Sequence, residues 1–382
     1  MTGTTQAQQG GDDALTIEAV ETTPVAVPMT TDFNISGGGQ ERPTHVLVHL
    51  RTTGGIVGLG EASPKPFFSA ETAGSVVHAI EQIEEALVGT DAGNLRAVHQ
   101  AMAEAINGNP FAKTAVDIAC HDALGKQLGV PVSRLLGGRV RDAIRVGQSV
   151  GIKPTEEAVA EAETYAHADG FVSIKVKVGD DPATAAERTR AIADALDADT
   201  TLRVDANQGY TVDQAIPLFR NLEQDLDLLL VEQPVSRDDI DGMRAVTDAL
   251  ETPVLADESS FSPQDAYTVA SRNAADILNI KIMKAGGLVP SRQIASTAAA
   301  AQLPVAVGSM VELGVGTAAG AHFAASVPNA VYPSDVKGPT LFTDTVLESP
   351  LEISDGLTPV PTGPGLGVSL DEEKVGEYEV TL

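Results

Sequence analysis

Cysteine is nearly missing from this 382-residue sequence, where Cys120 stands alone. A single thiol excludes a disulfide framework and any multi-thiolate metal site, and it points to a reducing compartment. Positive charge is also scarce: 25 Lys and Arg stand against 53 Asp and Glu, with ten lysines in all and a net charge of −28. Simple repulsion then disfavours nucleic acid and acidic membrane surfaces as partners. No apolar run approaches the ~20 residues that span a bilayer, and the N-terminus lacks a basic stretch followed by an apolar one. These absences predict a soluble, cytoplasmic protein. An acidic, lysine-poor surface repels itself in dilute buffer but is screened at molar salt, where the Debye length is about 3 Å. The expectation is a halophilic protein whose melting temperature rises between about 0.1 and about 3 M KCl, and a melting curve indifferent to KCl would contradict it.

What is present is organised around Phe171-Val-Ser-Ile-Lys-Val-Lys-Val178. Its β-branched and aromatic residues read as a buried strand, and residues two apart on a strand face the same way. Lys175 and Lys177 therefore emerge together near its C-terminal tip. Four later apolar runs also end in a lone charge, at Asp205, Glu232, Asp257 and Lys281, at successive intervals of 28, 27, 25 and 24 residues. Each interval fits one strand, one helix and two short loops. This is the cadence of a (β/α) barrel, in which charges at C-terminal strand ends read as chemistry.

The remaining chain divides around that rhythm. Residues 1–14 are polar and predict a disordered tail. Residues 15–143 read as an α+β unit, a β-meander to about residue 62 followed by helices over about 70–88 and 112–128. The barrel occupies 144–340, with a seventh strand at 304–307 and an eighth leading from 330–332 to Asp335 and Lys337. Residues 341–382 are rich in Pro and Gly and are expected to return to the N-terminal unit.

The Lys-x-Lys of the second barrel strand, the carboxylates on the next three and Lys281 in Asn279-Ile-Lys-Ile-Met-Lys-Ala-Gly-Gly287 resemble the enolase superfamily. More narrowly, the chain is similar to the muconate lactonizing enzyme subgroup, which includes muconate and chloromuconate cycloisomerases, dipeptide epimerases and N-acylamino acid racemases. Gly60-Glu-Ala-Ser63, Leu135-Leu-Gly-Gly138, Asp205-Ala-Asn207, Val231-Glu-Gln-Pro234 and Ala256-Asp-Glu-Ser259 support the likeness, which covers nearly the whole chain. It implies a (β/α)7β-type modified TIM barrel with an α+β capping domain formed by the N-terminal part and the C-terminal tail. A homo-oligomer is expected by analogy.

The residues themselves also argue the chemistry. Three carboxylates meeting at a barrel mouth cannot all stay ionised in a partly dry site without a cation. An oxygen-only donor set suits a hard ion, so Asp205, Glu232 and Asp257 are the expected ligands of Mg²⁺, with Mn²⁺ as the alternative. Asn207 and Glu258 are candidates to orient them. A metal-held substrate carboxylate has an acidified α-C–H, because the enolate charge develops on oxygens the metal already holds. A neutral lysine can take that proton. Lysine ordinarily titrates near about 10.4, and Lys175 beside Lys177 should lower the pKa of the base. Lys177 is thus the candidate acid/base and Lys175 its tuner. Lys281, four strands further round, can face the opposite side of a planar enolate; the family's lysines carry the same roles. The alternative is that these lysines are ion-paired to the carboxylates. Histidines are missing from the strand ends, which speaks against a His-based mechanism.

Cycloisomerisation and racemisation share the enolate, so specificity must come from the loops at about residues 28–36 and 62–70 and from the last two strand ends. Phe33, Phe67, Glu312, Asp335 and Lys337 are the candidate contacts for a small-molecule carboxylate substrate. Dipeptide epimerases carry an Asp-x-Asp at the eighth strand that grips an ammonium group, where this chain reads Asp335-Val-Lys337. A lysine there repels an ammonium and attracts an anion, unless it points to solvent. The leading expectation is therefore a cycloisomerase of a dicarboxylate such as a muconate. Its alternatives are a racemase or epimerase of N-acyl amino acids or dipeptides, a hydroxy-acid dehydratase, and a non-catalytic binding module.

Overall fold

The computed structural model describes residues 14–30, 33–35, 38–40 and 42–382, so the expected tail lies almost wholly outside the described residues. Strand Ile17–Ala26, with Ile17, Val20, Val25 and Ala26 buried, makes one edge of a three-stranded antiparallel sheet, which continues through Thr44–Thr52 to Val57–Ala62. Helix Pro110–Leu128 lies against the last strand, at a distance that only glycine permits. A Cβ on Gly58 would fall 2.1 Å from the Ala119 carbonyl oxygen, and one on Gly60 would fall 2.0 Å from that of Ala115. The helix answers with a buried small-residue face at Ala112, Ala115, Ala119 and Ala123, and it ends on left-handed Gly129. Helices Ala73–Leu87 and Leu95–Ala105 complete this capping unit, the second of them not anticipated from the sequence.

The alternating segment forms a parallel sheet of seven strands in sequence order, Gln148–Val150, Ser173–Lys177, Thr201–Asp205, Leu228–Glu232, Val254–Ala256, Ile277–Ile280 and Val305–Val307. The expected eighth strand is reduced to isolated bridges, Val305 with Ala330 and Ser334 with Val146, which carry the chain across between the seventh strand and the first. Pro328 and Pro333 explain the reduction, since neither can donate to a ladder. Together these elements form a (β/α)7β-type modified TIM barrel with an α+β cap. The helix after the fourth strand starts at Ile240, where the Asp239 carboxylate accepts the Gly242 amide. The C-terminal tail crosses back to the cap: Asp122 accepts the Leu366 amide at 2.7 Å, and the Val380 amide reaches Pro24 at 2.9 Å. None of the described helices is long and apolar enough to cross a membrane.

The cap is latched to the barrel through buried charge. Both carboxylate oxygens of Glu61 accept amides at the start of helix Gly314–Ser326, from Leu313 at 2.6 Å and Gly316 at 2.7 Å. Glu71, nearby in sequence, accepts the Phe111 amide while its other oxygen is buried without a hydrogen-bond partner among the described residues. Burial pushes the Glu71 carboxyl up to about 7, against the pull of the Phe111 and Ala112 amides and of Lys113. The folded protein thus keeps a proton that the unfolded chain releases near its ordinary value of 4.5. Stability should fall as pH rises from 4.5 to about 7, and Glu71→Gln should flatten that slope. Urea melts at both ends of the window check this; parallel slopes in variant and parent would contradict it.

Candidate active site

Strand register sets the first row of the site. Lys177 pairs with Asp205 across the second and third strands, and Asp205 pairs with Glu232 across the third and fourth. Asp257 follows the fifth strand directly, and Lys281 follows the sixth. Gln233 ties two of these ends together by accepting the Asp257 amide at 3.0 Å and the Ser259 amide at 3.1 Å. The backbone is strained here: Asn207, Gln233 and the β-branched Val311 all adopt positive φ, Val311 at 61°.

The lysines lie among the carboxylates. Lys175 Nζ is 2.7 Å from Glu232 and 2.6 Å from Asp335. Lys177 donates to Asp205 at 2.6 Å and to Asn207 at 2.9 Å. Lys281 is 2.5 Å from one Asp257 oxygen, and Lys284 is 2.7 Å from the other. Ion pairing, the bland alternative for these side chains, is thus what the structure displays. Burial disfavours charge on Lys175, but Asp335 and Glu232 outweigh it and drive its pKa up. Burial likewise opposes charge on Lys281, and Asp257 and Glu232 overcome it.

Among the described residues, no group of three His, Cys, Asp or Glu side chains is arranged to hold a metal ion, and a lysine ammonium contacts each of Glu232, Asp205 and Asp257. The donor set still fits a hard dication. Asp205, Glu232, Asp257 and Glu258 are all buried, and Glu258 Oε2 has no hydrogen-bond partner among the described residues. Burial, then Asp257 and Asp205, push the Glu258 carboxyl up to about 8; burial and Asp205 raise that of Glu232. Crowded carboxylates of this kind are relieved by a divalent charge. Asn207 bridges Glu258, at 3.0 Å, to Lys177.

Lys175, Lys177, Asp205, Lys281, Ser309, Val311, Asp335 and Lys337 line one cavity of about 60 Å³. Glu232 and Asp257 reach it through the lysines they pair with. Lys337 does not point to solvent: it is 3 % exposed, and among the described residues its ammonium makes no hydrogen bond or ion pair. Burial draws its pKa down to about 8, with Asp335 opposing and Arg203, Lys175 and Lys177 adding to the effect. Asp335 is held on both sides, by Lys175 and by Arg203 at 2.7 Å. Glu312 is not brought to the cavity. Its carboxylate folds onto its own loop, accepting the Ser309 hydroxyl and the Met310 amide at 2.8 Å. The side chains of Phe33 and Phe67 lie outside the described residues.

Four contributors were not anticipated. Lys284 grips Asp257, Arg203 grips Asp335, Asn279 donates to Glu232 at 2.9 Å, and the Phe68 ring centroid lies 4.8 Å from Lys281 Nζ. Lys284 carried a signal: it lies three residues after Lys281, one helical turn on, and so on the same side.

Two family models match this architecture, the N-terminal domain of mandelate racemase / muconate lactonizing enzyme over residues 17–137 and the enolase C-terminal domain-like model over residues 157–374. The chain belongs to the mandelate racemase / muconate lactonizing enzyme family and is an isomerase of the enolase superfamily. It is 36 % identical to the L-Ala-D/L-Glu epimerase of Bacillus subtilis, over 91 % of this chain and 95 % of that one. A muconate lactonizing enzyme from Pseudomonas fluorescens, solved with muconolactone, superposes with a TM-score of 0.93 at 34 % identity, covering 96 % of this chain and all of that one. A dipeptide epimerase from Enterococcus faecalis, solved with Mg and L-Leu-L-Tyr, gives 0.89 at 30 % identity, covering 93 % and 99 %. Cycloisomerase and epimerase are thus similarly near.

Proposed function

We propose that the chain is a Mg²⁺-dependent cycloisomerase that closes a muconate-type dicarboxylate to its lactone through an enolate. The observation that carries this reading is Lys337, a buried ammonium without a hydrogen-bond or ion-pair partner among the described residues, lining the same cavity as Lys177 and Lys281. It suits a substrate with a second negative group and opposes one with a free ammonium.

Asp205, Glu232 and Asp257 would hold the ion, with Asn207 and Glu258 orienting them. Bound there, Mg²⁺ supplies positive charge against the substrate oxygens on which enolate charge develops. Lactonisation forms a C–O bond from one carboxylate to the distal alkene carbon. The electron pair moves toward the other carboxylate, and Lys177 delivers a proton to its α-carbon. In reverse, neutral Lys177 removes that proton and the ring C–O bond breaks. Lys175, held by Glu232 and Asp335, contributes fixed positive charge beside Lys177.

A racemase or epimerase is the second reading, favoured by Lys177 and Lys281 together on one cavity: one removes the α-proton and the other returns it on the opposite face. Incubation with cis,cis-muconate, N-succinyl amino acids and dipeptides separates the two. Lactone formation supports the first reading. Racemisation without any lactone would overturn it.

A further inference from the structure

One aromatic pair joins the cap to the barrel beside Lys281. Phe68, in the short cap helix Pro66–Ser69, stacks on Phe261 of the barrel with centroids 5.3 Å apart and planes at 26°. Phe261 is pinned in turn by Arg237, whose guanidinium carbon lies 4.2 Å from the ring centroid, and Lys284 Nζ lies 5.4 Å from the same ring. The Lys281 ammonium is therefore held between the Asp257 carboxylate at 2.5 Å and the Phe68 ring at 4.8 Å. Phe68 also lines a second, outer cavity of about 420 Å³, together with Pro66, Ser69, Ala70, Pro110, Arg237 and Phe261. The ring thus lines the outer cavity while touching a lysine that lines the inner one.

We infer that Phe68 is a positioning residue for Lys281, a role set by the stack of Phe68 on Phe261 and Arg237. A lysine side chain has four rotatable bonds, and a carboxylate that also serves as a metal ligand cannot restrain it alone. A ring face both attracts the ammonium and keeps water from its flank. Because Phe68 comes from the cap and Phe261 from the barrel, Lys281 is correctly placed only when the two units are seated on each other. The inference rests on the second reading above, in which Lys281 serves the reacting carbon from the face opposite Lys177.

Steady-state kinetics on Phe68→Leu, Phe68→Tyr, Arg237→Ala and Lys281→Ala, with Mg²⁺ and the turned-over substrate, test it. Phe68→Leu should lower kcat about 3- to 10-fold with KM nearly unchanged, and Phe68→Tyr should restore kcat, since an aromatic face is what Lys281 needs. Arg237→Ala should give a smaller loss of the same kind. In a Lys281→Ala background Phe68→Leu should cost nothing further. A change confined to KM, or losses that multiply in the double variant, would show that Phe68 is only a wall and overturn the inference. If Lys281→Ala retains full kcat, the role of Lys281 falls and the inference falls with it; loss in Lys281→Ala beside an unaffected Phe68→Leu would sink the inference alone.

Discussion

Lys177→Ala should abolish turnover, with kcat falling by about 10²- to 10⁴-fold, the range expected for removing a positioned proton-transfer group. The side chain is buried at the cavity, hydrogen-bonded to Asp205 and Asn207, and in register with the proposed metal ligands. Removing it leaves Asp205 without the ammonium it contacts at 2.6 Å, so Lys177→Arg is the needed companion. Arginine keeps the positive charge but stays protonated, and it should fold normally while remaining inactive. Lys281→Ala then separates the two readings. Lactonisation should retain its proton step at Lys177 and lose much less than in Lys177→Ala, whereas racemisation needs a base on each face and should disappear. Initial rates of lactone formation and of optical-rotation loss are the measurements.

The second large effect belongs to Lys337. Lys337→Ala should lower kcat/KM for a dicarboxylate by about 10- to 100-fold, the loss of one charge-assisted hydrogen bond to a buried anion. The protein itself should not lose stability, since removing a buried ammonium that lacks a hydrogen-bond or ion-pair partner among the described residues takes away a desolvation cost. Lys337→Asp creates an acidic pair with Asp335 and should move preference toward substrates with a free ammonium. If Lys337→Ala leaves kcat/KM for the dicarboxylate intact, the lysine does not read the substrate's second charge and the dicarboxylate reading loses its main support.

The acidic surface bears on these assays. Six of the ten lysines are buried, Lys65, Lys175, Lys177, Lys281, Lys284 and Lys337, so the exposed surface is poorer in lysine than the composition suggests. This supports salt adaptation as a proposal and recommends molar KCl for every measurement.

Spacing made the barrel legible, because an apolar run that ends in one charge every 24 to 28 residues leaves room for one helix between strands, which neither a β-sandwich nor a helical bundle repeats. The same pattern located Lys175, Lys177, Asp205, Glu232, Asp257 and Lys281 at strand ends, and the structure brings them together. It failed where a residue's partner lies far along the chain. Arg203 looks like an oddity inside an apolar strand until Asp335, 132 residues later, is placed against it. Glu312 reads as a substrate contact after the seventh strand, but its carboxylate accepts a hydroxyl and an amide of its own loop. The eighth strand was over-read because its apolar residues outweighed the two prolines that flank them. Phe68, next in sequence to the Phe67 that sequence reasoning favoured, carries the described contact with Lys281.

We propose that Lys177 moves a proton at the α-carbon of a carboxylate whose oxygens a divalent ion stabilises. Proton NMR in D₂O at high KCl tests it most directly, with muconolactone and muconate as substrates, Mg²⁺ present or chelated, and wild type beside Lys177→Arg. Lactone should carry deuterium at one α-position, only with Mg²⁺ and only in the wild type. Deuterium entering the same position at an equal rate in Lys177→Arg, or after Mg²⁺ is chelated, would contradict it.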